Sequence, residues 1–341
     1  MTQVSNFSPD KKKLAVIILN WNGEDLLKRF LPPAVEFTQC DEADLIVADN
    51  GSTDCSVKWI EENFPDLKLI KFSENYGFAE GYNRAIDMTG YPYTILLNSD
   101  VEVTPGWWQP MLEFMEKNPD VGAVQPKIKS YFKRDYFEYA GAAGGYLDRL
   151  GYPYCRGRLF DRVEKDTGQY DGAPADVCWA SGAALLVKTD LYLELGGLDP
   201  LFFAHMEEID LCCRMLAAGY RVCAISDSQV FHVGGASLNQ GNPKKTYLNF
   251  RNNLLLLYKN LPEAKRDKVL IKRRLADTVA FFMYLAKLDF DNAKAILKAH
   301  KDFRKMKHNY AGKTGSDTHS IAFPGSERYI VIDRYILNKK R

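Results

Sequence analysis

In LLNSDVEVTPGWW (residues 96–108), a hydrophobic run is followed directly by a carboxylate. Residues 93–97 are mostly apolar and have the length of a buried strand, and Asn98-Ser99-Asp100 follows at once. Residues 106–117 then have the pattern of a helix. In open α/β sheets, ligands bind beyond the carboxyl ends of the strands. Asp100 therefore stands where a ligand site is expected.

The same alternation of strand and helix patterns extends over the first 125 residues. We predict strands at residues 14–19, 44–48, 67–72, 93–97 and 121–125. We predict helices at 24–38, 55–63, 77–88 and 106–117, with Pro32-Pro33 interrupting the first of them. Continuous apolar strands separated by helices predict an α/β fold whose mostly parallel sheet is covered on both faces.

The second half of the chain is less regular. Residues 127–175 show no clear period and predict loops or a hairpin over the sheet edge. Residues 177–187 and 222–225 have strand patterns, and residues 207–218 have a helix pattern. Further helices are predicted at 248–260, 264–288 and 291–305, and a short strand at 328–332. We divide the chain into a disordered start (1–12), a catalytic domain (13–245), a basic helical region (246–310) and a tail (311–341).

Composition limits the function classes. The chain has 341 residues, of which 46% are hydrophobic, and a formal net charge of +1, which argues against a nucleic-acid-binding protein. Its seven cysteines include no CxxC pair and favour a reducing cytoplasm over a disulfide framework. The start is polar, unlike a signal peptide, and no apolar run is long enough to span a bilayer.

Polar clusters with a glycine follow the first two predicted strands. They are Asn20-Trp21-Asn22-Gly23 and Asp49-Asn50-Gly51-Ser52-Thr53-Asp54. An aspartate at such a place can accept hydrogen bonds from a nucleobase or a ribose, and the following helix N-terminus favours phosphate. An ordinary turn with a helix cap explains the second cluster about equally well.

A third cluster follows the next strand. Asn75 and Gly77 suit a tight turn, and Asn83 and Arg84 lie on the helix start beyond it. Arg84 has a fork of donors that suits a diphosphate. Taken alone, this cluster fits a solvent-facing arginine at least as well.

Asn98, Ser99 and Asp100 suggest a metal site for a departing diphosphate. A divalent cation neutralises such a leaving group and takes oxygen ligands. His232, which follows a strand and precedes Gly234-Gly235, is a candidate second ligand. A hydrogen-bonded structural histidine is the competing interpretation.

The stretch HMEEIDL (residues 205–211) places three carboxylates at a helix start. Simple complementation of the helix dipole explains any one of them. The functional interpretation makes one of Glu207 and Glu208 a general base that takes a hydroxyl proton. Asp210 is expected to anchor the helix through Arg214 at i+4.

Together these pieces resemble the family 2 inverting glycosyltransferases, and most closely the rhamnosyltransferase-type members of bacterial surface-polysaccharide assembly. The resemblance covers roughly residues 12 to 260. It rests on VIILNWNG (16–23), VADNGSTD (47–54), ENYGFAEGYNRAI (74–86), LLNSDVEVTPGWW (96–108), WASGAALLVK (179–188), GGLDPLFFAHMEEIDLCCRMLAAGYRV (196–222) and FHVGGAS (231–237). It implies the GT-A nucleotide-sugar-binding fold.

The resemblance also implies roles for individual residues. The nucleotide-sugar would contact Asn20, Trp21, Asn22, Asp49, Asn50, Gly51, Ser52, Asn75, Gly77, Asn83, Asn98, Ser99 and Asp100. Trp179, Ser181 and Gly182 would lie where the acceptor and donor sugar meet. Asp100 and His232 would hold a divalent cation, Mg²⁺ or Mn²⁺, and Glu208 would be the base, with Glu207 as its rival.

Two positions depart from the family pattern. Asn98 replaces the first aspartate of the family's Asp-x-Asp metal motif, so one metal carboxylate is missing. Glu208 is one methylene longer than the aspartate usual at the base position. Metal dependence and the identity of the base therefore stay open.

The implied partners are a nucleoside-diphosphate sugar and a saccharide or polyisoprenyl-linked acceptor. Residues 259–307 carry 14 Lys or Arg against 6 Asp or Glu, which suits a peripheral contact at the inner face of the cytoplasmic membrane. Packing of these helices on the catalytic domain or in a homodimer is the alternative.

Other function classes fit less well. A sugar-nucleotide-binding module without activity would share the fold but not need Glu208 and Asp100. A nucleotidyltransferase would want a basic glycine-rich loop where NWNGED stands, and a nicotinamide dehydrogenase needs GxGxxG there.

Overall fold

The computed structural model describes residues 12–234, 241–310 and 327–330. The predicted disordered start and the tail lie almost entirely outside these ranges. The strands are β1 Leu14–Asn20, β2 Ala43–Asp49, β3 Lys68–Lys71, β4 Tyr93–Leu97, β5 Val101–Val103, β6 Val121–Ser130, β7 Gly145–Leu147, β8 Pro153–Cys155, β9 Arg158–Leu159, β10 Arg162–Val163, β11 Ala175–Val177, β12 Ala184–Lys188 and β13 Arg221–His232. The α-helices are α1 Glu24–Thr38, α2 Ser56–Asn63, α3 Phe78–Asp87, α4 Gln109–Lys117, α5 Thr189–Glu194, α6 Glu207–Ala217, α7 Pro243–Asn260, α8 Glu263–Ala286 and α9 Phe290–Met306.

A nine-stranded sheet forms the centre of the molecule. Its order is β11-β13-β6-β12-β4-β1-β2-β3, and β5 pairs with the end of β13. The strands β4, β1, β2 and β3 are parallel, as predicted, while β12 runs antiparallel between β4 and β6. The α/β prediction is confirmed.

Apolar residues are buried on both faces of this sheet. Ala15 and Ile17 of β1 belong to one hydrophobic cluster, and Leu14, Val16 and Ile18 belong to a second cluster on the opposite face. Alternate side chains of a strand point to opposite faces. The continuous apolar run therefore reflects a strand covered on both sides.

Several predicted elements are corrected by the structure. Helix α1 continues through Pro32 and Pro33, because Leu27, Leu31 and Ala34 hold its apolar face in the core. The aperiodic stretch 127–175 contains a second, four-stranded sheet of order β10-β9-β8-β7. Its strands of two or three residues are too short to show a period.

Two predicted strands have different extents. Residues 177–187 are not one strand, since β11 ends at Val177 and β12 begins only at Ala184. The segment between them contains the predicted site residues Trp179, Ser181 and Gly182 and belongs to no strand. Strand β13 is far longer than residues 222–225 and reaches His232 past an irregularity after Ile225. In the tail, the described residues 328–330 form no strand.

The C-terminal helices pack on the rest of the chain. The side chain of Lys259 on α7 lies 2.7 Å from Asp199 and 2.8 Å from Asp210 of α6. On α8, Arg273 pairs with Asp277 at 2.8 Å, and Asp277 also accepts a hydrogen bond from Tyr152 near β8. Of the helices in the described ranges, none is long and apolar enough to cross a membrane.

Candidate functional site

The carboxyl ends of β1 and β2 lie side by side. Asn20 is the register partner of Asp49, and its Nδ2 donates to Asp49 Oδ1 at 2.9 Å. Asp49 Oδ2 accepts from the backbone N–H of Ser52 at 3.0 Å, which shapes the turn after β2. In that turn Gly51 has a φ of 71°, and a Cβ on it would lie 2.6 Å from the backbone of Glu74. Only glycine fits there.

The neighbouring loops are joined by amide side chains. Asn50 Nδ2 donates to Asn75 Oδ1 and to the carbonyl of Gly77, each at 3.0 Å. Asn22 Oδ1 accepts from Thr53 N–H at 2.8 Å, and the Trp21 side chain remains 57% exposed at the rim. These residues therefore form a rigid edge, and their contact with a nucleotide stays a prediction.

Asn83 has a different surrounding from the one predicted. Its Oδ1 accepts from Tyr192 Oη at 2.6 Å and from Leu198 N–H at 2.9 Å, and its Nδ2 donates to the carbonyl of Leu198. All its polar atoms are used in holding this turn. Its neighbour Arg84 pairs with Glu80 through Nε at 2.7 Å, and contact of either residue with a diphosphate stays a prediction.

Asp100 and His232 are brought together, as the metal hypothesis requires. Asp100 lies at the end of β4 and His232 at the end of β13, and Asp100 Oδ1 is 3.1 Å from His232 Nε2. On the other side of the ring, His232 Nδ1 is 3.5 Å from Glu138 Oε2. Burial lowers the pKa of His232, but the hydrogen bonds of Asp100 and Glu138 outweigh it and raise the pKa to about 10.

The residues around Asp100 fit a divalent cation. The Oδ1 atom of Asn98 is buried without a hydrogen-bond partner and faces the same cleft as Asp100 and His232. Such an orphaned oxygen beside a carboxylate is a suitable ligand for a hard cation. Within the described ranges, no three His, Cys, Asp or Glu side chains form a complete metal cage.

The segment between β11 and β12 forms one wall of the cleft. Trp179 is buried, and its ring N–H donates to the carbonyl of Tyr146 at 3.0 Å. Ser181 Oγ donates to the carbonyl of Ala140 at 2.6 Å. A Cβ on Gly182 would lie 3.7 Å from Glu208 Cβ, so Gly182 is directly beside the proposed base.

Glu207 and Glu208 begin α6 behind an unusual loop. Phe203, His205 and Met206 all have positive φ, at 67°, 68° and 77°. Side chains other than glycine rarely adopt this region, and such backbone strain is concentrated at functional sites. The loop turns both carboxylates into the cleft.

The carboxylates of Glu207 and Glu208 each have an oxygen atom without a hydrogen-bond partner among the described residues. These are the Oε2 atoms, and both are buried. Burial raises the pKa of Glu208 to about 7. Burial and the charge of Glu208 raise the pKa of Glu207 well above its usual value. A carboxylate with a pKa near neutrality is suited to general-base catalysis.

Asp210 anchors α6, as predicted. Its Oδ2 lies 2.9 Å from Arg214 Nε, and its Oδ1 accepts from Asn260 Nδ2 at 2.8 Å. Helix α7 also holds the strained loop through Asn252, whose Nδ2 donates to the carbonyls of Phe202, Ala204 and His205 at 2.7–2.8 Å.

A large cleft of about 1270 Å³ collects eight of the predicted site residues. It is lined by Asn98, Asp100, Trp179, Ser181, Gly182, Glu207, Glu208 and His232. Asp49 and the other candidates at the ends of β1 and β2 do not line it. The proposed base and the proposed metal ligands therefore line one cleft, and the residues predicted to bind the nucleoside lie outside its lining.

Several lining or supporting residues were missed in the sequence. Glu138 and Arg158 lie in the aperiodic stretch 127–175, where no pattern singles them out. Arg251 and Asn252 lie on a helix predicted only from its period. The run of three polar residues at 251–253 was the one available signal, and the loop partners of Arg251 and Asn252 are 47–50 residues away in the chain.

Comparisons with known proteins agree with this geometry. Residues 15–170 match the family model for glycosyl transferase family 2. An N-acetylglucosaminyl-diphospho-decaprenol L-rhamnosyltransferase of Mycobacterium tuberculosis (strain ATCC 25618 / H37Rv) is 27% identical over 237 residues, which are 64% of this chain and 75% of that protein. The O-antigen biosynthesis protein RfbC of Myxococcus xanthus is 23% identical over 227 residues, which are 66% of this chain and 18% of that protein.

Solved structures show the same fold. Mannosyltransferase PcManGT of Pyrobaculum calidifontis, in complex with GDP-Man and Mn²⁺, has a TM-score of 0.54 at 16% identity, covering 91% of this chain and 87% of its own. S. aureus TarS 1-349 has a TM-score of 0.57 at 15% identity, covering 89% and 83%. Residues 15–170 therefore match glycosyl transferase family 2, the chain has the GT-A fold, and its sequence is similar to that of an L-rhamnosyltransferase.

Proposed function

We propose that this glycosyltransferase moves a sugar from a nucleoside-diphosphate sugar to a hydroxyl group of a saccharide or lipid-linked saccharide, with inversion, in cell-surface polysaccharide synthesis. The carrying observation is that Glu208, with its raised pKa, shares one cleft with Asp100 and His232. Rhamnose is the sugar we propose, because the M. tuberculosis relative is an L-rhamnosyltransferase.

The reaction is a single in-line displacement. The acceptor oxygen bonds to the anomeric carbon while the bond from that carbon to the phosphate oxygen breaks, and its electron pair leaves with the nucleoside diphosphate. Glu208 takes the proton of the acceptor hydroxyl. One displacement inverts the anomeric carbon. Holding both substrates in line and stabilising the departing charge supply on the order of 10 kcal/mol of the barrier reduction.

Asp100, His232 and Asn98 would hold a Mg²⁺ or Mn²⁺ ion, and His232 would have to give up the ring proton that its raised pKa otherwise keeps. When bound, the ion neutralises charge on the departing diphosphate. Asn20, Asp49 and the loops tied to them would hold the nucleoside. Trp179, Ser181 and Gly182 would line the place where the acceptor meets the donor sugar, since Gly182 touches Glu208.

We further propose that the turn between α8 and α9 contacts an anionic membrane surface. Phe282, Leu288 and Phe290 are 61%, 75% and 53% exposed around this turn. Between residues 263 and 305, ten Lys or Arg side chains are exposed against three Asp or Glu. Exposed aromatics with basic neighbours suit an anionic bilayer. A second copy would place the same cations against each other, which disfavours a homodimer through this face.

A nucleotide-binding screen tests the proposed function. Thermal unfolding is followed with dTDP, UDP, GDP and CMP, each with and without Mn²⁺ or Mg²⁺. We expect one nucleoside diphosphate to raise the Tm, and the metal to increase the shift in the wild type but not in Asp100→Asn. Absence of stabilisation by every nucleotide would count against a sugar-nucleotide enzyme, and an unchanged metal response in Asp100→Asn would remove Asp100 from the metal site.

A further inference from the structure

Arg158 is a buried cation with no carboxylate at ion-pair distance among the described residues, and Glu138 acts on it only from farther away. Arg158 lies on β9 and is only 7% exposed. Its Nη2 atom is 3.5 Å from Cys155 Sγ, a weak acceptor, and its Nε atom is buried without any hydrogen-bond partner in the described ranges.

The other buried arginines of the described ranges have oxygen partners. Arg273 pairs with Asp277 at 2.8 Å, and Arg266 pairs with Glu263 at 2.9 Å. Arg251 donates to the carbonyl of Phe202 at 2.8 Å. A buried charge without a partner costs stability, so the unmet donors of Arg158 call for a ligand.

The guanidinium of Arg158 is held in place for such a ligand. Its Cζ lies 4.3 Å from the centre of the Tyr139 ring, and both residues line the large cleft. The turn between β8 and β9 contains Gly157 with a φ of 91°, where a Cβ would lie 2.6 Å from the Phe137 ring. The close turn fixes where Arg158 emerges from the sheet.

The surroundings of Arg158 indicate which phosphate it meets. It lies on the small sheet and not at the β1 and β2 ends where the nucleoside is expected, and Tyr152 beside β8 of this sheet donates to Asp277 of α8 at 3.2 Å. Helix α8 adds the apolar side chains of Ala276, Ala280 and Met283 to the same cleft. A fork of donors beside an apolar wall suits a phosphate ester of an apolar alcohol.

We propose that Arg158 binds the phosphate group that links the saccharide of the proposed lipid-linked acceptor to its apolar alcohol. This proposal rests on the proposed function, since it takes this end of the cleft as the acceptor site. The donor also carries a diphosphate, and the test separates the two sources.

Binding by the full-length chain is measured in calorimetry without metal, using geranyl diphosphate and its uncharged counterpart geraniol. In Arg158→Met we expect affinity for geranyl diphosphate to fall roughly 10- to 100-fold, the range of a lost charged hydrogen bond, while affinity for geraniol stays the same. Affinity for the nucleoside diphosphate found in the screen should not change. Arg158→Lys, which keeps the charge but not the fork, should lie between wild type and Arg158→Met.

The thermal stability of Arg158→Met separates a binding role from a structural one. Removing an unpaired buried charge should leave the Tm unchanged or raise it. Arg273→Met is the matched control, and it should lower the Tm because it leaves Asp277 buried with one partner fewer.

Three results would overturn the proposal. Unchanged affinity of Arg158→Met for geranyl diphosphate removes the site. An equal loss for the nucleoside diphosphate assigns Arg158 to the donor. A Tm well below wild type makes Arg158 a structural residue. None of these results depends on glycosyl transfer, so a failed transfer assay counts against the proposed function and not against this site.

Discussion

Glu208 is the residue on which the proposed chemistry depends most. Its Oε2 atom is buried without a partner, next to Gly182 on the opposite wall. Glu207 also has an Oε2 atom without a hydrogen-bond partner among the described residues, but its side chain is buried at 5% exposure, whereas Glu208 is half-buried. Glu208 is therefore the better placed of the two to meet an acceptor hydroxyl.

Substituting the two glutamates separates their roles. Glu208→Gln should lower kcat by roughly 10²- to 10⁴-fold, because the amide cannot take the proton, while nucleoside-diphosphate binding is kept. Glu207→Gln is the matched control and should have a much smaller effect on kcat. Steady-state kinetics and calorimetry measure the two quantities. A larger loss in Glu207→Gln would exchange the assignments.

The pH dependence of activity follows from the buried carboxylate. Burial raises the pKa of Glu208 from its ordinary value of 4.5 to about 7, and only the ionised form accepts a proton. The value of kcat/KM should therefore rise with pH and reach half its plateau near pH 7. A pH–rate profile from pH 5 to 9 measures this. A half-point close to 4.5 would show that the base is a solvated carboxylate.

At the scale of elements, helix α7 controls the loop that presents the base. Asn252 is fully buried and bonds three carbonyls of the loop before α6. Arg251 adds a bond to the carbonyl of Phe202 at 2.8 Å. Positive φ values at Phe203, His205 and Met206 persist only if their surroundings enforce them. Helix α7 thereby positions Glu208 indirectly, through its hydrogen bonds to the loop before α6.

Removing this support should affect stability and turnover together. Asn252→Ala removes the side-chain donor of the Ala204 and His205 carbonyls, while Phe202 keeps its bond from Arg251, and should cost about 2–4 kcal/mol of unfolding free energy. We also expect a lower kcat with little change in nucleotide affinity, because Glu208 loses its fixed position. Denaturant unfolding and steady-state kinetics measure both.

Thr246→Val on the same helix provides the control for Asn252→Ala. Thr246 bonds Asn292 of α9 at 2.5 Å and does not touch the loop. It should lower stability while leaving kcat unchanged. An equal loss of kcat in both variants would mean that α7 acts only through global stability.

At the scale of the whole molecule, the helical region places a basic, partly apolar surface beside the cleft. Val279 and Met283 of α8 are 60% and 45% exposed and also line the cleft. The exposed turn between α8 and α9 continues this surface. A lipid-linked acceptor held at a membrane would thus meet the cleft directly.

Vesicle co-sedimentation tests that arrangement. The wild type should bind phosphatidylcholine vesicles that contain phosphatidylglycerol, and bind pure phosphatidylcholine vesicles less, since each nearby Lys or Arg gives about 1 kcal/mol. Phe282→Ser with Phe290→Ser should lower the bound fraction. Leu193→Ser, at an exposed leucine of α5, should not. A wild type that forms a dimer, loses it in the double variant and ignores the vesicles would assign the turn to a second copy instead.

Much of the parallel half of the sheet was predictable from the sequence. The apolar runs of β1, β2 and β4 and the polar turns after them carry their signal within a few residues, because strand period and turn chemistry are local. The strand β4 has the predicted bounds. The short strands β7–β10 were not predictable, because two or three residues are too few to show a period. The split between β11 and β12 was not predictable, because these strands pair with the distant strands β13 and β4.

The sequence by itself therefore determined the α/β class, the polar strand ends, and the pairing of Asp210 with Arg214 one helical turn apart. Three contacts are visible only in the tertiary structure. Glu138 contacts His232, and Asn83 accepts a hydrogen bond from the backbone of Leu198. Asn252 donates to the carbonyl of His205 in the loop before α6. The physical reason is sequence separation. A turn or a helix is stabilised by neighbours in the chain, whereas these contacts join residues 94, 115 and 47 positions apart and exist only once the whole core is packed.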